Sequence, residues 1–555
     1  MNAKRRKDQT PELVLLPLGG TGEIGMNCYC YGTGAAHERQ WLMVDLGVKF
    51  GGEKDPGVDV ILPDISFITS NKNDLAGLVI THAHEDHIGA VPWLWPQLRC
   101  DIYCTSFAAE LLKLKLREHG LESEVPLHIQ VPGKPFKVGN FELEFVEVTH
   151  SIPQSNALLI ETPEGRIVHS GDWKIDYTPV LGAPFNAKRF EEIGKAGVDV
   201  LVCDSTNVLR EGFSPSERDV ASTLEDIIKH ATGRVAVTTF ASHVERISCA
   251  VKAARAAGRE VVIAGRAMRN TIEAARICGM LGDAGAFLDE DAFGYLPPNK
   301  IMLLCTGSQG EPRAAMARIS EDNHPNIALE EGDLVIFSAR TIPGNEKEVG
   351  AIINGLAKLK VDVITSDDAL VHSSGHPRQD ELKTLYGLLK PRALVPMHGE
   401  PRHLYAHAKF AKANGIKDTL ILEDGKISRL CPGPLEVIDE VSCGVLHVDG
   451  KLIVPSADGP AKQRRKLSQV GVVVALAIID DRLELAEDIE IILDGVPTGM
   501  DEELAIAAEK AFESMAKNRR KDDGIVAETI RTAIRRTADM AWGKKPIVKV
   551  LVVRV

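Results

Sequence analysis

The sequence predicts an α/β protein in three parts: a strand-rich layered part, an inserted α/β domain and a small C-terminal α+β domain. Three observations predict it. Up to about residue 200, short apolar runs alternate with glycine-rich turns, which is the pattern of strands. From about 220 to 365, helical and strand patterns alternate, the signature of βαβ units on a mostly parallel sheet. Beyond the polar stretch PSADGPAKQRRK (455–466) come two strands, two helices and a closing strand.

Taken in order, ELVLLPLGG (12–20), QWLMVDLG (40–47), AGLVITH (76–82), CDIYCTS (100–106), FELEFVEVTH (141–150), NALLIETP (156–163) and GRIVHSGDW (165–173) read as strands. HIGAVPWLWPQL (87–98) and SFAAELLKLKLREHG (106–120) read as helices between them. In the middle part, HVERISCAVKAARAAG and EKEVGAIINGLAKL are helical, whereas RVAVTTF, REVVIAG, KIMLLCTG and GDLVIFSA are strands. In the third part, VGVVVALAIID and EDIEIILDGV are strands, two helices run over 501–517 and 524–542, and PIVKVLVVRV closes the module. The expected boundaries are 1–208 for the first part, 209–366 for the insertion, 367–455 for completion of the first part, 456–470 for a linker and 471–555 for the C-terminal domain.

Composition narrows the function. With 44% hydrophobic and 26% charged residues the chain is of ordinary globular composition. No apolar run approaches the roughly 20 residues of a membrane span. The charged start, MNAKRRKDQTPE, lacks the apolar stretch of a secretory signal, so a cytoplasmic protein without a membrane partner is expected. The ten cysteines form no CxxC and no compact framework, consistent with reduced core thiols. A net charge of −13 argues against non-specific polyanion binding, although KRR near residue 5, QRRK (463–466) and NRRK (518–521) are basic.

The chemistry concentrates in THAHEDHIG. His82, His84, Asp86 and His87 follow a strand's carboxyl end, a common position for sites in layered α/β folds. His82 and His84, two apart on extended chain, face one side, whereas Asp86 and His87 follow after the chain turns. Four ligands in one turn exceed what a single tetrahedral ion takes from a loop, so two adjacent metals are expected. Further candidates stand at other strand ends: His150, Asp172 and His398. The expected sets are His82, His84 and His150 for one metal and Asp86, His87 and His398 for the other, with Asp172 bridging. Imidazole and carboxylate without thiolate suit two Zn²⁺ per subunit, with Mn²⁺ or Mg²⁺ as alternatives. Asp45 is expected to orient a ligand imidazole.

The order Asp45, HAHEDH, His150, Asp172 resembles the metallo-β-lactamase superfamily, which implies an αββα sandwich. Asp204 in CDSTN, His376 in VHSSGHP and His398 in PMHGEP resemble the added motifs of its β-CASP nucleases, which implies an inserted β-CASP domain. LPLGGTGEIGMN (16–27), ASHVERI (241–247), CTGSQGEP (305–312) and SARTIPGNE (338–346) resemble the ribonuclease J family of bacteria and archaea, through about residue 450, and the C-terminal module fits that family's tail domain. Ala267 in GRAM departs from the serine that family wording leads one to expect.

The resemblance implies a metal-dependent ribonuclease. It trims single-stranded RNA from a 5′-monophosphate end toward the 3′ end, cuts internally as well, and serves RNA maturation and decay. Asp86 and His87 belong to the reacting centre, His376 protonates the leaving O3′ or holds the scissile phosphate, and Asp204 steadies His376 or the attacking water. His372, Ser374, Ser242 and His243 are expected at the 5′-phosphate, and Ser308 with Gly310 at the RNA backbone. A homodimer is expected, with a tetramer as the alternative, together with other RNA-degradation proteins as partners. A β-CASP nuclease of DNA, or an idle RNA-binding scaffold, is the competing reading.

Overall fold

The computed structural model describes residues 10–282, 285–342 and 344–555; the KRR cluster and Pro343 of SARTIPGNE lie outside the described residues. Two compact units divide the chain, one of Met1–Lys49 with Leu62–Gly444 and one of Phe50–Ile61 with Val445–Val555.

In the first unit, strand Glu12–Gly19 is buried on both faces after its first residue, as its unbroken apolar run requires. It pairs antiparallel with Cys28–Gly34, Leu15 opposite Tyr31. That strand, rich in cysteine and glycine, escapes the pattern of alternating branched residues and has no counterpart in the expected elements. Gln40–Val44, Leu75–Val79, Ile102–Cys104 and Leu127–Ile129 extend the sheet on one side, Lys426–Cys431 and Glu436–Glu440 on the other. The second sheet runs Asp418–Thr419, Ala393–Met397, Val200–Asp204, Gly165–His169, Ser155–Thr162, Phe141–Val148, Phe136–Val138.

Between the sheets Leu13, Leu15, Tyr31 and Leu42 meet Phe145, Leu158, Val202 and Val395 in one core. Helices Ala187–Ala196, Gln379–Leu389 and Pro401–Ala413 cover the outer face of the second sheet, bringing Phe190, Leu382 and Ala411 onto Val146, Leu159 and Leu201. Crossover helices between the parallel strands of the first sheet supply the other helical layer and bury Leu94, Trp95, Phe107 and Leu112. The result is the αββα sandwich. The helix expected over 87–98 is two, Glu85–Ile88 and Val91–Leu98, because the motif loop turns into a short helix of its own.

The inserted sheet has five parallel strands in the order Glu260–Ala264, Ile301–Cys305, Val235–Thr238, Leu334–Phe337, Asp362–Ile364. Thr238 pairs with both Cys305 and Phe337, so the carboxyl ends align along one edge, where open α/β sheets place ligands.

In the second unit, strands Glu490–Asp494, Val472–Ile479 and Ile547–Arg554 form a sheet backed by helices Asp501–Glu513 and Asp523–Trp542. Val473, Ala475, Ala477 and Ile479 pack onto Phe512, Ile530 and Ile534. The stretch expected as a linker carries helix Ala461–Val470. Its arginines explain the order: Arg464 pairs with Asp449 of the preceding hairpin at 2.9 Å, and Arg465 donates at 2.9 Å to the carbonyl of Lys54, far away in sequence.

Candidate active site

Three loops are stitched together by backbone. Asn27 N–H donates to the Asp86 carbonyl, Leu46 N–H to that of His87, Gly47 N–H to that of Asn27 and Val48 N–H to that of Glu85. The approach is so close that a Cβ on Gly47 would lie 1.7 Å from the Asp86 carbonyl oxygen. Asp45 sits at φ +63°, a left-handed turn that asparagine and aspartate tolerate best, and is fully buried. Its carboxylate accepts from Thr81 N–H and Oγ1, each at 2.8 Å, and lies 2.7 Å from His87 Nδ1. His87 is thereby fixed with Nε2 presented to Asp86 at 3.6 Å and Asp172 at 3.3 Å.

The structure brings every expected ligand to one place. Two groups match the expected sets, His82, His84, His150 with Asp172 and Asp86, His87, His398 with Asp172, and a third joins Asp172 and His398 to Asp204 and His376; the ligating atoms of each group lie within 4.8 Å of one another. Asp172 is common to all three. It comes from the turn after Gly165–His169; His150 follows Phe141–Val148, and His398 follows Ala393–Met397 at φ +50°. His150 Nδ1 lies 2.6 Å from the Gly375 carbonyl, which directs Nε2 inward, 3.8 Å from Asp172 Oδ2.

Electrostatics divides the two halves. Burial, reinforced by neighbouring rings, holds His82 and His150 well below the ordinary histidine range, and burial carries His84 down to about 4, so these three are neutral imidazoles. In the other half burial is outweighed by Asp172 and Asp86, and His398 rises to about 10. His398 Nδ1 lies 2.8 Å from Asp172 Oδ1 and its Nε2 3.3 Å from Asp86 Oδ2, close pairs whose angles are not those of hydrogen bonds. Imidazole and carboxylate lone pairs that converge in this way without hydrogen-bonding one another fit a divalent cation. The cluster contains no thiolate, and its imidazole and carboxylate donors are those of Zn²⁺ and Mn²⁺ sites.

Beside this cluster, His376 Nδ1 lies 2.8 Å from Asp204 Oδ2, leaving Nε2 as the free nitrogen of a partly exposed ring. Asp204 Oδ1 accepts from Thr206 N–H and Oγ1. The expected RNA contacts fare unevenly. Ser374 Oγ accepts from Asn207 Nδ2 at 2.8 Å and from His376 N–H at 3.3 Å, bonds that shape its own turn. His372 carries a buried Nδ1 without a hydrogen bond. Ser308 is buried in the loop after Ile301–Cys305, and Ser242 is half-buried. His243 departs from expectation: it is 1% exposed, its Nδ1 caps helix Val244–Ala256 by accepting Arg246 N–H, and Nε2 faces Glu217 at 3.5 Å. A capping imidazole walled in by a carboxylate is a structural group.

Comparison with known proteins bears on the chemistry. Residues 232–356 match the family described as Ribonuclease J, beta-CASP domain, 461–555 the Ribonuclease J C-terminal domain, 55–264 the Beta-lactamase superfamily domain and 362–421 the Zn-dependent metallo-hydrolase RNA specificity domain. Ribonuclease J of Sinorhizobium meliloti is 47% identical over 553 residues, covering 99% of this chain and 98% of the relative. The chain belongs to the ribonuclease J family. Ribonuclease J of Mycolicibacterium smegmatis is 37% identical over 98% of this chain and 97% of its own length. A solved structure from Enterococcus faecalis, of a protein of unknown function, shares the fold at TM-score 0.52 and 18% identity, covering 75% of this chain and 99% of its own. A ribonuclease J family chain with a metallo-hydrolase domain is a hydrolytic ribonuclease, and the His/Asp cluster is its candidate divalent-metal centre. Among the described residues no helix is long and apolar enough to cross a membrane.

Sequence reading missed several supports of the ribonuclease J site. Asn27 lies 3.0 Å from His87 Nε2, and Asn207 Nδ2 donates to Ser374 and to the His376 carbonyl. Both stand inside quoted motifs, GMN and CDSTN, which was the available signal. Buried Lys174, two residues past Asp172, carries no such sign.

Proposed function

We propose that this protein hydrolyses RNA phosphodiester bonds with two divalent metal ions, as a 5′-to-3′ exonuclease preferring a 5′-monophosphate end that also cuts internally. The observation that carries the reading is the pair of ligand sets sharing Asp172. His82, His84, His150 and Asp172 would hold one ion, and Asp86, His87, Asp172 and His398 the other. When bound, such a pair, Zn²⁺ or Mn²⁺, supplies a nucleophile from water at neutral pH and offsets the charge gathering on the phosphoryl oxygens.

The chain's own residues do the rest. Asp45 keeps the His87 proton on Nδ1, so Nε2 remains a donor of electrons to the centre. Asp204 holds His376 Nδ1 in the same way, and His376 Nε2 hands a proton to the departing O3′, help typically worth 10²- to 10⁴-fold. His372 and Ser374, four and two residues before His376, belong to the pocket for the 5′-phosphate. The exposed apolar face of the C-terminal sheet, with Ile492 and Leu551 each 57% exposed, supports a homodimer, which sedimentation velocity reads directly.

RNAs differing only at the 5′ end, as monophosphate, triphosphate or hydroxyl, test the reading with a His376→Ala control. Mononucleotide release confined to the monophosphate RNA and lost in the variant is the expected outcome. Equal internal cutting of all three would remove the 5′-phosphate pocket from the proposal.

A further inference from the structure

Behind the candidate active site lies a buried ionic group that none of the chemistry above uses. Lys174, Glu217 and Arg246 are each at most 1% exposed. Glu217 and Arg246 form a two-pronged pair at 2.9 and 2.8 Å, and Lys174 Nζ lies 3.7 Å from Glu217 Oε1 and 3.6 Å from Asp176 Oδ2. The two cations reach out to the same piece of chain. Arg246 Nη1 donates to the Val371 carbonyl at 2.9 Å, and Lys174 Nζ donates to Ser373 Oγ at 3.1 Å and to the Pro215 carbonyl at 3.3 Å. Residues 371–376 are the segment through which the chain returns from the inserted domain, and it ends on His376.

Lys174 is also anchored to the metal cluster by backbone. Its N–H donates to the Thr149 carbonyl, next to His150, and its carbonyl accepts from Thr149 Oγ1 at 2.7 Å. One residue therefore ties the Asp172 turn and the His150 strand end, by its backbone, to the His376 segment, by its side chain, while the Glu217 shared by both cations comes from the first helix of the insertion. Burying four charges costs desolvation that their attraction barely recovers, so such a group does little for stability but imposes one geometry. The arrangement has a directional consequence. Losing Nζ leaves Glu217 paired with Arg246, Asp176 without its cation but still accepting from Ser216 Oγ and the N–H groups of Thr178 and Glu217, and Ser373 Oγ donating to Pro215 at 2.6 Å, while the loop loses its tie to the Asp172 turn.

We propose that Lys174, braced by Glu217 and Arg246, is a positioning residue that clamps the 371–376 segment and thereby sets the ring of His376 against the scissile bond. The inference rests on the reading of His376 as the proton donor to the leaving O3′.

The test uses full-length, metal-loaded protein and two 5′-monophosphate RNAs. One is ordinary, and the other carries a single 3′-S-phosphorothiolate linkage, whose thiolate departs without needing a proton. The positioning role predicts that Lys174→Met slows ordinary RNA by roughly 10- to 100-fold, a part of the 10²- to 10⁴-fold available to a general acid. On the sulfur linkage it should stay within about 3-fold of the parent, with metal content unchanged. Ser373→Ala, which removes the acceptor in the loop and disturbs no charge, should show the same selective loss to a smaller extent and decides the matter if Lys174→Met fails to fold. Equal loss on both linkages, or loss of metal, would overturn the clamp. His376→Ala separates the two levels: if it also loses both linkages equally, the proton-donor reading falls; if sulfur rescues His376→Ala but neither clamp variant, only the inference falls.

Discussion

At the scale of the residue, the site depends on groups that hold ligands as much as on the ligands themselves. Asp45 is the clearest case: fully buried, left-handed, and spending both oxygens on Thr81 and His87. Asp45→Ala should lower metal affinity about 10- to 100-fold, the usual cost of removing the partner of a ligating imidazole, as measured by competition with a coloured chelator. An unchanged affinity would mean that Asn27 and the packing around His87 suffice. That these candidate side chains would come together was legible in the sequence because strand ends in this fold class converge. His243 was not, because whether an imidazole caps its own helix or faces the cleft is decided by packing that the local sequence does not encode.

At the scale of the element, helix Val244–Ala256 carries a buried acid with a measurable signature. Glu245 accepts the N–H groups of Val180 and Leu181. Burial, with the Glu217 charge adding to it, pushes its carboxyl up to about 7. Between about pH 4.5 and 7 the folded chain therefore holds a proton that the unfolded chain has released, so this group makes stability fall as pH rises through that window. Glu245→Gln keeps the acceptor oxygen and abolishes the titration. The variant should match the parent in denaturant near pH 5 and exceed it by up to about 3 kcal/mol near pH 8. A constant difference between the two would assign the effect to packing. The long apolar strands and the βαβ rhythm of the insertion were readable from periodicity. Strand Cys28–Gly34 and helix Ala461–Val470 were not, the first because glycine and cysteine are weak strand signals, the second because its arginines are satisfied by residues near 54 and 449.

At the scale of the whole molecule, large apolar cores between and outside the sheets hold the fold, so stripping the ion should cost function far more than fold. Dialysis against a chelator should abolish RNA cleavage while leaving the far-ultraviolet circular dichroism in place. Zn²⁺ or Mn²⁺ should restore cleavage; collapse of the secondary structure would make the centre a folding element instead. The sequence by itself determined the fold class and pointed to the candidate ligand side chains, because hydrophobic period and the crowding of HxHxDH are local properties of the chain. Only the tertiary structure decided that His243 caps its own helix, that Asn27 stands against His87 and Asn207 against the His376 turn, and that Lys174 and Arg246 grip one segment across a shared carboxylate. All but the cap are relations between residues tens to hundreds of positions apart, and they exist only once two sheets and an insertion have packed and excluded water from the charges between them.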